Sequence, residues 1–400
     1  MNALRETARQ GKRVLLTGGT GYLGALLAAQ VLGDDWADTL VVPSRQMQAA
    51  DAVPEAIQRE LLALGADPAA LAGRIEVVGW QGAEHVSHDE LVGMLTGVDT
   101  VIHCAGCLDY FDSAALQTLN VEFTQRLVDA AKAAGVGRFV FISTAYAGGY
   151  SGAPIPERAL HTPPSDPTDY TLTKRNAEHV VACSGIPFLV VRPSIVIGSA
   201  KDGRYSGKRY GLYQQWMGIE RLLSDRYHEE LHTVATDQPL NLLHQDVFQA
   251  AMASILRWVP DGEYVNLVVS NRSAPSMKRL WQMICEVTRP RSVVFYDHMR
   301  QVDLKAIHMR QRAYLTFAQT NLEIGAYPWQ FERGWLEQLA QRGLTFTETT
   351  AETIQICQDR FVRSSALLQR YLERFGNELP ACVDYRQHDE HVPTLSLSMA

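Results

Sequence analysis

Apolar and polar positions along the first half of the chain fall into two alternating patterns. Arg13-Val14-Leu15-Leu16-Thr17 is a short apolar run, long enough for one buried strand. From Gly21 onward the apolar positions are Leu23, Leu26, Leu27 and Val31, which is helical spacing. Further apolar runs at Thr39–Pro43, Ile75–Val78, Thr100–Ile102, Arg138–Ile142 and Phe188–Val191 predict strands. Helical segments are expected over Ala114–Ala134 and Thr168–Ser184. The second has turn and cap chemistry before it in Asp166-Pro167-Thr168, and Gly185-Ile186-Pro187 stops it. Strands that are apolar throughout, alternating with helices, imply a parallel sheet covered on both faces, with ligands at its carboxyl edge. The expected fold class is therefore α/β, a Rossmann-like doubly wound parallel sheet with a smaller, mainly helical C-terminal substrate domain.

The pattern changes after Ser199. Residues 201–210 form a polar, glycine-containing stretch, which reads either as a cover for a substrate or as a solvated loop. The C-terminal third is mainly helical. Ile354, Cys357, Phe361, Leu368, Leu372 and Phe375 form one apolar stripe, preceded by Thr349-x-x-Glu352, which resembles a capping box. The stripe reads as core or as a dimer seam, the latter making a homodimer a candidate assembly. The expected division is 1–198 for a dinucleotide-binding domain, 199–385 for a substrate region to which part of 240–270 need not belong, and 386–400 for a polar tail.

Composition narrows the function. With 400 residues, 46% of them hydrophobic, the chain can bury a large core. The formal charge of −7 argues against nucleic acid as a partner, because no basic surplus is available for phosphates. The opening Met1-Asn2-Ala3-Leu4-Arg5-Glu6 lacks an apolar signal core, and no run approaches the roughly 20 apolar residues of a membrane span. No transmembrane segment is expected, and the cytoplasm is the expected compartment.

Thr17-Gly18-Gly19-Thr20-Gly21-Tyr22-Leu23-Gly24 sits where the first strand turns into the first helix. Gly18 permits the tight turn, Gly21 allows backbone to approach a pyrophosphate, and Gly24 allows the helix to pack close to the sheet. The helix N-terminus then offers N–H donors to an anion. Thr20, Tyr22 and Leu23 complete this candidate cradle. The second strand ends in Pro43-Ser44-Arg45. An NAD site usually ends this strand with a carboxylate for the ribose. Here Ser44 and a guanidinium at Arg45 suit a 2′-phosphate instead, so NADP(H) is the expected cofactor. Asp51, slightly further on, keeps NAD open.

Tyr170 and Lys174 are four residues apart on the predicted catalytic helix and share one face. A phenol with a pKa of about 10 is a poor acid or base at neutral pH. A nearby ammonium, together with the positive nicotinamide ring of an oxidised cofactor, is expected to lower it toward the working range. Ser143-Thr144, at the end of the strand Arg138–Ile142, supplies a hydroxyl to hold a substrate oxygen. The arrangement is that of hydride transfer with a nicotinamide cofactor.

The cysteines are Cys104, Cys107, Cys183, Cys285, Cys357 and Cys382. Cys104-x-x-Cys107 has no second pair to complete a zinc site, and no metal is expected. His103 reads as a residue packed at the sheet's end, and His244 as structural.

These motifs, in this order over roughly residues 12 to 270, resemble the extended short-chain dehydrogenase/reductase superfamily. Gly18, Gly21 and Gly24 match its glycine motif. His103-Cys104-Ala105-Gly106 is similar to its fourth-strand motif, so Cys104, Ala105 and Gly106 are implied to line the cofactor. Asn120 in Leu119-Asn120-Val121 matches its helix asparagine, which implies a place in a proton relay through water. Thr144 matches its catalytic hydroxyl, in preference to Ser143, and Tyr170 and Lys174 match its catalytic pair, Lys174 also holding the ribose. The strand through Pro193 and Ser194 resembles the segment that passes under the nicotinamide. Where relatives place Asp-Leu after the third strand to meet the adenine, this chain has Trp80-Gln81. Where they often carry Pro-Val-Asp, it has His244-Gln245-Asp246.

Arg192-Pro193-Ser194-Ile195-Val196-Ile197-Gly198 and Phe141-Ile142-Ser143-Thr144-Ala145-Tyr146 are most similar to the branch of fatty acyl reductases and thioester reductases. That resemblance implies a small-molecule or thioester-bound acyl substrate, on coenzyme A or a carrier protein, reduced to aldehyde or alcohol. The same residues suit a ketone reductase with a polyketide-like or steroid-like substrate. A sugar-nucleotide epimerase or dehydratase, and an NADP sensor without chemistry, are the remaining alternatives.

Overall fold

The computed structural model describes residues 11–45, 53–208, 210–224, 230–269 and 273–388. The described chain divides into two compact units. The first comprises the described residues within 1–208, 241–271 and 329–349; the second comprises those within 209–240, 272–328 and 350–400.

The first unit is built on seven parallel strands. They are β1 (Gly11–Thr17), β2 (Ala37–Ser44), β3 (Ile75–Gly79), β4 (Thr100–His103), β5 (Arg138–Ile142), β6 (Phe188–Pro193) and, later in the chain, Glu263–Leu267. From one edge the order is β3, β2, β1, β4, β5, β6 and then Glu263–Leu267. All neighbours pair in parallel. Alternate residues enter opposite layers. Val14, Leu16, Val140 and Ile142 join one apolar cluster, while Leu15, Phe139 and Phe141 join the other. Burial on both faces is why these strands read as continuous apolar runs. The chain reverses its direction of winding between β1 and β4, where Thr17 lies opposite His103 in register. That is the switch point at which doubly wound sheets bind ligands.

A short two-stranded sheet joins β7 (Ile195–Ile197) to a later strand, Leu242–His244, again in parallel. Residues 241–269 thus return to the first unit, and so do 329–349, which the sequence reading grouped with the substrate region. The return is held by specific bonds. Ile155 pairs with Phe331, the Asn266 amide donates to the Glu332 carbonyl at 3.0 Å, and the Glu157 carboxylate accepts from Trp335 N–H at 2.9 Å. None of these has a periodic signature in sequence. Residues 199–208 also belong to this unit: Arg204 pairs with buried Glu60 at 2.8 Å, and the Tyr205 ring meets Tyr22 edge-on at 4.9 Å.

The second unit is mainly helical and contains a three-stranded parallel sheet that periodicity did not reveal. Its strands are Glu230–Val234, Ser292–Tyr296 and Asp384–Gln387, with Ser292–Tyr296 central. Arg386, expected at the start of a polar tail, instead lies in an edge strand; residues 389–400 of that tail fall outside the described residues. The C-terminal apolar stripe spans two helices, Ala351–Ser364 and Ala366–Phe375. The break comes at Ser365, whose hydroxyl caps the second helix. The first is capped by Thr350, with Thr353 completing the box, rather than by Thr349 and Glu352. Thr349 itself is buried and donates to the Leu242 carbonyl.

Candidate active site

The glycine turn follows β1 directly. Gly18 adopts φ +73°, and a Cβ there would lie 2.8 Å from the Ala105 nitrogen. A Cβ on Gly24 would fall 2.0 Å from the Gly18 carbonyl oxygen. Only glycine fits either place. The helix Tyr22–Gly33 begins at Gly21 with no side-chain cap, so the N–H groups of its first turn are available to an anion. Thr20 and Gly21 are exposed at this turn, and Leu23 packs its side chain against the core. Tyr22 turns inward: its hydroxyl lies 3.3 Å from the Ile197 carbonyl oxygen and 3.2 Å from Gln245 Oε1, and its one hydrogen serves either. These features fit a dinucleotide's pyrophosphate.

At the end of β2, Ser44 is buried and its carbonyl accepts from Trp80 N–H at 3.1 Å. Arg45 is exposed. Its stem passes over Gly82, where a Cβ would come within 3.3 Å of Arg45 Cδ. Asp51 lies outside the described residues.

The switch point holds a directional chain of hydrogen bonds. Ala105 N–H donates to the Thr17 hydroxyl at 3.2 Å. That hydroxyl lies 2.6 Å from His103 Nδ1, and His103 Nε2 lies 3.0 Å from the Thr124 hydroxyl. Thr124 in turn donates to the Asn120 carbonyl at 2.6 Å. Burial, with Lys174 opposing a second positive charge, pulls the His103 pKa down to about 3. The imidazole is therefore neutral, as the chain requires.

Asn120 sits in a π-helical turn, Gln117–Glu122, which interrupts the helix expected over 114–134. Such turns often mark functional sites. Its side chain accepts from Cys107 N–H at 2.7 Å and donates to the Cys107 carbonyl at 3.3 Å. It also donates to Thr173 Oγ1 at 3.1 Å. Gly106 lies against it, since a Cβ there would be 2.9 Å from Asn120 Oδ1. Both amide hydrogens are thus committed to protein groups. Asn120 latches the loop after β4 to the catalytic helix.

That helix runs Asp169–Ala182, with Thr168 and Thr171 forming its capping box. Lys174 is buried; its ammonium donates to the Ile142 carbonyl at 2.7 Å and lies 4.1 Å from the Phe141 ring centre. This bond ties the helix to the end of β5, immediately before Ser143 and Thr144. Burial brings Lys174 down to about 8, against the opposing influence of Cys104 and Glu178. Thr144 Oγ1 accepts from Tyr146 N–H at 3.4 Å, which leaves the hydroxyl hydrogen to donate elsewhere. Ser143 Oγ is buried with no hydrogen-bond partner. Pro193 closes β6, and Ser194 Oγ is likewise buried without a partner.

The chain's own groups do not by themselves shift Tyr170 in the expected direction. Lys174 and the positive nicotinamide ring of an oxidised cofactor were together expected to lower the Tyr170 pKa. Burial instead raises it, with Tyr110, Cys104 and Cys107 adding to the rise. The physical reason is that the ammonium is bound to the Ile142 carbonyl while the phenol lies among rings and thiols.

Sequence reasoning missed Tyr110, whose ring centre lies 5.6 Å from that of Tyr170. It also missed Trp329, buried 4.9 Å from Tyr146 on the returning segment. His244 is buried with Nδ1 2.6 Å from the Gly198 carbonyl. Among the described residues no cluster of His, Cys, Asp or Glu is placed to hold a metal ion. No described helix is long and apolar enough to cross a membrane.

Strand order, glycine turn and Tyr–Lys helix together define an extended short-chain dehydrogenase/reductase, a class of NAD(P)-binding oxidoreductases. The chain belongs to the male sterility protein family, whose model matches residues 16–252. It is 27% identical over 222 residues to mouse 3 beta-hydroxysteroid dehydrogenase type 7, covering 49% of this chain and 54% of that protein. A Drosophila melanogaster protein with a provisional fatty acyl-CoA reductase name is 25% identical over 237 residues, covering 48% of this chain and 45% of its own. The chain spans about half the length of the curated relatives it matches. The fold is also that of the terminal R domain from the myxalamid PKS-NRPS biosynthetic pathway, with a TM-score of 0.69 at 20% identity over 88% of this chain and 91% of that one.

Proposed function

We propose that the protein is an NADPH-dependent reductase of an acyl thioester, carried on coenzyme A or a carrier protein, giving an aldehyde or alcohol. The observation that carries the reading is the junction of β5 with the catalytic helix. Lys174 bonds the Ile142 carbonyl there, beside the available Thr144 hydroxyl. The family match and the acyl-CoA reductase relative support the acyl substrate. Arg45 at the end of β2 supports the 2′-phosphate.

When bound, the cofactor supplies a hydride to the carbonyl carbon. Thr144 donates a hydrogen bond to the carbonyl oxygen and orients it. Tyr170 gives its proton to the alkoxide that develops on that oxygen. Lys174 holds the ribose and keeps the catalytic helix on β5. Gly18, Gly21, Gly24 and the uncapped helix N-terminus hold the pyrophosphate, with Cys104, Ala105, Gly106, Pro193 and Ser194 as walls. Asn120 positions the loop that carries Cys104 to Cys107. Loss of the thiol from the reduced thioester would leave an aldehyde, which could be reduced again at the same Thr144 and Tyr170 to the alcohol. Steady-state NADPH consumption with acyl-CoA substrates, and product analysis, test the reading. A second reading, a ketone reductase acting on a steroid-like substrate, is favoured by the hydroxysteroid dehydrogenase relative. Turnover of ketones with none of thioesters selects it.

A further inference from the structure

Residues 199–208 follow β7 and stay with the first unit. They carry Lys201, Arg204 and Lys208 against one acid, Asp202, in a chain whose formal charge is −7. The segment is folded on itself. Ser199 N–H donates to the Arg204 carbonyl at 2.9 Å, Gly203 N–H to the Ser199 carbonyl at 2.9 Å, and Arg204 N–H to Asp202 Oδ1 at 3.0 Å. Gly203 turns the chain at φ +68°. The base is fixed by Ala200 N–H, which donates to Asp246 Oδ1 at 3.1 Å.

From that base the segment crosses the first turn of the helix Tyr22–Gly33. On one side of the turn, the Tyr22 hydroxyl faces the Ile197 carbonyl and Gln245. The Tyr205 ring meets the Tyr22 ring edge-on at 4.9 Å. Gly207 fits between the two rings: a Cβ there would be 2.6 Å from Tyr205 Cζ and 3.0 Å from Tyr22 Cδ1. The Tyr205 hydroxyl donates back to the Lys208 carbonyl at 2.7 Å. On the other side, Arg204 reaches the helix Glu55–Ala63, where its guanidinium meets the Glu60 carboxylate at 2.8 Å. Glu60 is fully buried there, and Arg59 stands further off, at 3.7 Å. Two donors close to Tyr22 are unspent. Ser206 Oγ, in the segment, and Gln245 Nε2 are buried with no hydrogen-bond partner.

We propose that residues 199–208 are a strap over the dinucleotide's diphosphate, latched by Arg204 on Glu60, and that the latch sets how long the cofactor stays. The inference rests on the glycine turn holding a dinucleotide. The strap crosses the one end of the helix Tyr22–Gly33 that attracts an anion, and that end has no side-chain cap. Its surplus of positive residues and the unspent donors are the chemistry a diphosphate recruits. A buried carboxylate left without its partner is costly, so the latch favours the closed strap. A segment that must open for a ligand to pass slows entry and release alike.

The test needs no substrate. NADPH release is followed by its fluorescence after the loaded protein is mixed with excess NADP+ in a stopped-flow instrument. Arg204→Ala should raise the release rate by about tenfold or more, the range for losing one charge-assisted contact. That variant strands Glu60, so it is compared with Arg204→Ala/Glu60→Gln, in which no buried charge is left alone. The double variant should regain the parent's melting temperature yet keep fast release, and association should not slow. Trypsin reads the strap itself. NADPH should protect the bond after Lys208 in the parent and much less in the double variant. Release from the double variant at the parent's rate overturns the proposal, and so does protection equal to the parent's. A parent that binds neither NADPH nor NADH defeats the dinucleotide reading and the strap with it. Tight binding with release indifferent to the latch defeats the strap alone.

Discussion

His103 Nε2 lies 3.0 Å from the Thr124 hydroxyl, and this contact assigns the imidazole's tautomer. Thr124 spends its hydrogen on the Asn120 carbonyl, so Nε2 carries the ring proton and Nδ1 accepts from Thr17. One neutral histidine thus couples the strand before the glycine turn to the π-helical turn that holds Asn120. Replacing Thr124 by Val strands the Nε2–H of His103. The expected cost is about 1–3 kcal/mol, the desolvation penalty of an unpaired buried group. Urea unfolding, with the slope unchanged, measures it.

The same histidine gives a pH dependence. Its folded pKa of about 3 lies below the ordinary 6.5. A depressed pKa means that the unfolded chain binds the extra proton first as pH falls. Stability is therefore fully present above pH 6.5 and is lost progressively toward pH 3. In His103→Gln, the dependence of unfolding free energy on pH across this window should be shallower by one proton. An unchanged slope would show that His103 is not the titrating group.

Ser143 and Thr144 are separated by their partners. Thr144 is held by Tyr146 N–H with its hydrogen free to donate, whereas Ser143 Oγ is buried and unpaired. Thr144→Ala should lower kcat by about 10²–10³, as loss of one oxyanion donor does. Ser143→Ala should leave kcat within a small factor and not destabilise the fold, because it removes an unsatisfied hydroxyl. Reversed effects would move the catalytic role to Ser143.

Arg192 and Glu178 form a fully buried pair at 2.7 Å, and Arg192 also donates to the Pro156 and Arg158 carbonyls. Glu178→Leu leaves the guanidinium charge uncompensated and should cost about 3–5 kcal/mol. Denaturant unfolding reads this directly. A loss under about 1 kcal/mol, the range of exposed pairs, would contradict the burial seen here.

Arg45→Asp exchanges an attractive charge for a repulsive one where a 2′-phosphate would sit. It should turn the preference from NADP(H) toward NAD(H) by about 1–3 kcal/mol. Fluorescence titration with both reduced cofactors checks it. Equal affinities in the unmodified protein would remove Arg45 from this role.

The sheet was legible because it is buried on both faces. Val14, Leu15 and Leu16 cannot avoid apolar neighbours, whichever way each points. The glycine turn was legible because Gly18 and Gly24 leave no room for a side chain. The return of 329–349 was not, since it depends on Asn266 and Glu157 meeting backbone groups far away in sequence. Tyr110 escaped notice for a related reason. Its place beside Tyr170 is a ring contact across 60 positions of the chain, which has no period. The direction of the Tyr170 shift could not be read from a four-residue spacing. Spacing places Lys174 on the same face but does not show that its ammonium is committed to the Ile142 carbonyl.

The central claim is that Tyr170 donates the proton in an NADPH-dependent carbonyl reduction. It is tested most directly by single-turnover NADPH oxidation with an acyl-CoA series, comparing the parent with Tyr170→Phe. The account predicts oxidation by the parent and, for the variant, a rate lower by at least about 10², the lower range for a positioned general acid, with NADPH affinity unchanged. Equal rates in the two proteins would contradict it.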